Sequence, residues 1–99
     1  MSVMANDSRR FGADVSDFAS AVQRLENEYV ALQTNMAALQ GMWTGEAHDT
    51  LQARFSADYA ELGLVVEYLR QMRASLNNAS QAYASCESLV RQTIADLNV

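Results

Sequence analysis

Few residues in this chain are placed to do covalent chemistry. His48 and Cys86 are the single residues of their kinds in a sequence of 99. A cysteine nucleophile needs a base and an oxyanion site beside it, and a zinc centre needs several nitrogen or sulfur ligands. His48 falls in the first turn of a predicted helix and reads as a solvated or end-capping residue. Cys86 falls near a helical seam and reads as a small buried hydrophobe. Glu26 and Glu28, two positions apart, point to different faces and form no acid–base pair. The methionines at positions 1, 4, 36, 42 and 72 read as a start residue, core filling and a turn contact rather than a metal box. The expectation is a protein that is not an enzyme, with no metal site and no cofactor.

Two constellations suit recognition instead. Trp43, in Trp43-Thr44-Gly45, offers a large amphipathic surface with one N–H donor, and Gly45 permits a tight turn and close approach. Tyr83 and Glu87 are four apart, so on a helix they form one surface patch, an aromatic ring beside a carboxylate. Packing competes for the same residues. Trp43 continues an apolar seam seven positions after Met36 and would plug the end of a bundle, and Tyr83 lies on a second seam. Both roles can hold together.

Helices must position these residues. Apolar side chains recur at steps of three and four from Phe11 to Leu39, as Val15, Val22, Tyr29 and Met36 and as Phe11, Phe18, Leu25, Leu32 and Leu39. That is a heptad seam, about 100° wide on a helical wheel, with Asn6 or Asp7 placed to cap its start. Gly41 and Gly45 bracket a break. Gly41 reads as a left-handed cap ending the first helix, and Thr44 as the N-cap of the second, with Glu46 and Asp49 near its positive end. The second stripe runs through Leu51, Phe55, Tyr59, Leu62, Val65, Val66, Leu69, Met72 and Leu76, and is broader, about 140°. No proline interrupts the chain, and Asn77-Asn78 is the weakest helical link before Tyr83, Val90, Ile94 and Leu97. The pattern predicts an all-α fold, one antiparallel helical hairpin over 1–99: helix 1 about 7–40, a turn at 41–45, helix 2 about 46–77, and a helical or flexible tail at 78–99.

Composition narrows the partners. Seven arginines and no lysine face six aspartates and six glutamates, a net charge of -5. Scattered arginines make no basic stripe, so no nucleic acid is expected, and an anionic membrane surface is disfavoured likewise. No apolar run approaches the roughly 18 residues that span a bilayer, so stable membrane insertion is not expected. Arg9-Arg10 superficially suggests a twin-arginine signal, but Asp14 and Asp17 stand where its apolar run belongs. One cysteine allows no intrachain disulfide. A two-helix layer leaves its broad face uncovered, which predicts a four-helix bundle made by two chains. The seam residues expected to build core and dimer are Phe18, Val22, Leu25, Tyr29, Leu32, Met36, Leu39, Phe55, Leu62 and Leu69.

With Trp43-Thr44-Gly45 at mid-chain in a proline-free hairpin, and Tyr83-Ala84-Ser85-Cys86-Glu87 matching the pattern Y-x-x-x-[DE] after it, the chain resembles the WXG family of small ESAT-like proteins, substrates of bacterial type VII secretion. The resemblance covers essentially the whole chain. It implies a homodimer, or a heterodimer with a paralogue, made in the bacterial cytoplasm and exported folded without a cleaved signal peptide. It implies a composite export signal, Trp43 and Gly45 supplying the turn half and Tyr83 and Glu87 the tail half, read by the membrane-bound secretion ATPase. The expected role is effector, virulence factor or co-export partner. The alternatives are a cytoplasmic helical adaptor or chaperone that binds a helix of another protein, and, least suited to these acidic faces, a membrane-active amphipathic protein.

Overall fold

A computed structural model of the chain describes residues 2–43 and 45–97. They form two helices, α1 (Ser2–Gln40) and α2 (Glu46–Leu97), joined by a short turn in an all-α helical hairpin. Helix α1 begins earlier than the capping residues suggest. Positions 2–6 contain no glycine or proline to stop it, so Asn6 and Asp7 lie inside the helix. Asn6 does not cap: its Oδ1 accepts a hydrogen bond from Arg9 Nη2, one turn on. Helix α2 likewise runs past Asn77-Asn78 to Leu97. The asparagines' poor propensity costs a few tenths of a kcal/mol each, about what one packed side chain overrides. Beyond them Tyr83 still meets α1.

The turn differs from expectation in its chemistry. Gly41 does not adopt the left-handed conformation; among the described residues Gly45 alone has a positive φ, 96°. Helix α1 closes by tightening. Gly41 N–H bonds the Ala37 carbonyl at 3.3 Å, and Met42 and Trp43 N–H then bond Leu39 and Gln40 at 3.1 and 3.3 Å, three residues back. The first hydrogen bond of α2 runs from Asp49 N–H to the Gly45 carbonyl, 3.2 Å, which puts Gly45 in the N-cap role. Thr44, the expected cap, lies outside the described residues.

Contacts divide the chain into two compact units, each built from a segment of both helices. In the turn unit, Ala21–Arg70, Val22 and Val66 are buried and Leu25, Met36, Phe55, Leu62 and Leu69 half-buried. Its centre is a reciprocal pair of tyrosines. The Tyr29 and Tyr59 rings stack 4.1 Å apart and 6° from parallel. Tyr59 Oη donates to the Tyr29 carbonyl at 3.0 Å, and Tyr29 Oη to the Tyr59 carbonyl at 3.4 Å. Desolvation, followed by the hydrogen-bonded and charged influence of Tyr29, raises the Tyr59 phenol above its ordinary value. Phe55 extends the stack at 5.4 Å, and Arg70 joins Glu26 of α1 at 3.5 Å to Glu67 at 3.2 Å. In the terminal unit, α1 up to Ser20 packs on α2 from Gln71 onward. Val15 is buried there, Phe18 half-buried, and the Phe11 ring meets Tyr83 edge-on at 6.3 Å and 75°.

Gly63 is what lets the tyrosines pair. A Cβ at this position would lie 2.6 Å from Tyr29 Oη. Alanine ordinarily gains about 1 kcal/mol over glycine inside a helix, but here the hydroxyl would have to move off its stack. Gly63→Ala is therefore expected to lower the urea midpoint, whereas Gly63→Ala in a Tyr29→Phe background, where the nearest ring carbon is 3.4 Å away, raises the midpoint and adds about 1 kcal/mol to the unfolding free energy relative to Tyr29→Phe alone. A stabilising single substitution would show that the tyrosines do not fix this contact.

Candidate functional site

The residues singled out for recognition sit in two places. Trp43 and Gly45 belong to the turn unit, Tyr83 and Glu87 to the terminal unit. Trp43 follows the tightened end of α1 and is 45% exposed, so within this chain it is not a core plug. Around the same turn, Met42 is 78% exposed and Leu39 and Leu51 are open to solvent. The glycine of the tripeptide has a conformational reason to be there. Its φ is 96°, and a Cβ added to it would meet nothing within 4 Å, so Gly45 is needed for its backbone, not for space.

The tail residues are the reverse case. Tyr83 and Glu87 do share a face of α2, but that face turns inward. Tyr83 is half-buried against Phe11. Glu87 is buried, 7% exposed, with its charge met by Arg91 one turn later. The expected exposed patch of ring and carboxylate is therefore covered. Cys86 is exposed rather than buried, because Tyr83 and Glu87 take the inner face of that turn and leave position 86 outside. His48, expected to be solvated, has a side chain only 18% exposed and places Nδ1 3.2 Å from Asp49 Oδ1. Sequence reasoning did not find Phe11 as the partner of Tyr83, which no local spacing signals. It could have found Arg91, since Glu87 and Arg91 stand at the four-residue spacing of a helical ion pair.

Among the described residues no group of three or more His, Cys, Asp or Glu is arranged to hold a metal ion. A groove of about 380 Å³ in the terminal unit, lined by Gly12, Val15, Ser16 and Ala19 with Asn77 and Ser80, has Arg73 as its single charged lining residue. What the site offers is surface: an open aromatic and apolar turn in one unit, and in the other a ring and a carboxylate held against α1. Among the described residues no helix is long and apolar enough to cross a membrane.

A family model described as proteins of 100 residues with WXG, the WXG100 family, matches residues 7–88. That span takes in Trp43, Gly45, Tyr83 and Glu87. No curated protein and no solved structure matches the chain.

The positive φ makes Gly45 testable apart from any partner. Gly45→Ala is expected to destabilise the chain by about 1–2 kcal/mol, the cost of forcing a Cβ into left-handed backbone, while Gly45→Asn costs less. Urea unfolding followed by circular dichroism reads this. Equal midpoints for glycine and alanine would mean that the turn does not depend on the left-handed conformation.

Proposed function

Because the chain belongs to the WXG100 family, whose members are small helical proteins typical of type VII secretion, we propose that it is exported as a folded dimer by a bacterial type VII system. It carries no enzymatic activity in this reading. Outside the cell it works through helix–helix contacts, as effector or as co-export partner of larger substrates.

The observation that carries the dimer is the poverty of the core. Among the described residues the buried apolar side chains are three valines, Val15, Val22 and Val66. The chain exposes 7320 Å², whereas a compact monomer of 10.9 kDa exposes about 5,600 Å². The surplus, about 1,700 Å² on one chain, is about twice the roughly 800 Å² that each partner contributes to a standard pairwise interface. It is also organised. In the turn unit Leu32 and Leu39 stay exposed, on the α1 seam that lies about 60° round from Val22, Tyr29 and Met36. Leu51 and Val65 of α2 are offset by about 60–100° in the same sense from Val66. In antiparallel helices, offsets of the same sense fall on one side of the pair. That side supports docking of a second hairpin, a copy of this chain or a paralogue, to close a four-helix bundle.

Export rests on the family and on the four motif residues. In a head-to-tail dimer the turn of one chain, with Trp43 and Gly45, lies at the same end as the tail of the other, with Tyr83 and Glu87. The proposed reader of this pair is the ATPase of the secretion machine.

Light scattering on the purified chain is expected to give about 22 kDa, twice the 10.9 kDa of one chain. A concentration-independent monomer would count against self-pairing and call for co-expression with a paralogue. In cells with a working type VII apparatus, Tyr83→Ala and Glu87→Gln are expected to keep the protein inside while helicity and mass by light scattering stay as in the wild type. Retention of the wild-type chain itself would sink the export reading.

A further inference from the structure

Glu87 is the one polar or charged residue buried among the described residues. Burying a carboxylate is costly unless a counter-charge accompanies it, and Arg91 supplies that charge while its own side chain stays 62% exposed. Glu87 is therefore both buried and ion-paired. Four residues earlier, on the same face, the Tyr83 ring lies edge-on against Phe11 of α1. Both residues of the tail half are thus occupied by partners within this chain, one by a phenyl ring of α1 and the other by a guanidinium. We propose that the tail signal is latent: α1, through Phe11, holds the face that carries Tyr83 and Glu87, and a partner reads them only when the first turns of α1 release the tail of α2. This rests on the reading of Tyr83 and Glu87 as an export signal, and adds the condition under which that signal can be read.

The contact is built to open. Among the described residues of the terminal unit, Val15 is the only buried apolar side chain; Phe18, Met72 and Leu76 are half-buried, and towards the tail the helices meet through the edge-on pair of Phe11 with Tyr83 and the close approach of Gly12 to Ser80. Segments with so few fully buried side chains open at lower free energy than a packed core. The partner's chemistry follows from what it must replace. It needs an apolar slot that accepts a phenol ring in place of Phe11, and a cationic side chain that accepts the carboxylate in place of Arg91. Its apparent affinity is lowered by the fraction of chains in which the tail is closed.

A reversible staple tests the latch in the full-length chain. A Cβ on Gly12 would stand 3.6 Å from Ser80 Oγ, within the reach of a disulfide. The chain carrying Gly12→Cys and Ser80→Cys, with Cys86→Ser to remove the third thiol, is compared oxidised and reduced for binding to the purified cytosolic part of a type VII secretion ATPase. The oxidised form is expected to bind at least about tenfold more weakly than the reduced form. Phe11→Ala, which frees the ring, is expected to bind more tightly than wild type, with helicity checked by circular dichroism. Equal binding of oxidised and reduced forms, with Tyr83→Ala still abolishing it, would overturn latency and leave the signal reading intact. Wild-type binding by Tyr83→Ala would instead overturn the signal reading, and the latch with it.

Discussion

Two helices laid side by side can hide from water only the residues that point at each other. Here the described part of that contact buries three valines, Val66 alone completely, and half-covers a row of larger side chains. Everything else about the molecule answers to this shortage. Specific interactions stand in for bulk burial: stacked tyrosines that hydrogen-bond each other's backbone, an arginine tying Glu26 to Glu67, and small residues that let helices approach. An apolar face remains open beside the contact, so the family habit of pairing has a physical motive in this chain.

The same shortage explains how the four motif residues are arranged. Trp43 and Met42 stand outside the helical contact and leave apolar area open to solvent. Tyr83 and Glu87 lie on the inner face of α2, where burial in so thin a layer recruits even a carboxylate. Gly45 has no packing duty at all, and its backbone angle alone accounts for its identity.

Much of this was legible in the sequence, for identifiable reasons. The absence of proline and the heptad spacing from Phe11 to Leu39 announce the helices, because periodicity survives any detail of packing. The hairpin follows from two glycines in five residues. Helix ends were less legible: Asn6 and Asp7 are good caps wherever a helix starts, but nothing before them stops one, and Asn77-Asn78 was overruled by packing beyond it. Gly41 and Gly45 look alike on paper, and only the closure of α1 by three-residue hydrogen bonds shows which one must turn left-handed. The inward face of Glu87 was hidden because a carboxylate reads as surface until its counter-ion is seen. The tyrosine pair was invisible for a different reason. It joins residues thirty positions apart, and its third member, Gly63, resembles a mere weak point in a helix.

That tyrosine pair also acts as an index pin. Each hydroxyl finds the other residue's carbonyl at only one longitudinal setting, so sliding α2 along α1 by a single residue, about 1.5 Å, would break both hydrogen bonds and unstack the rings. Within the turn unit, the alignment of the helices is thus written into their shafts rather than into the connection between them. The loop is relieved of setting register. Apart from the backbone demand at Gly45, its residues can be chosen by whatever they meet outside the chain, and a loop rebuilt in length or sequence would leave the two helices facing each other as before.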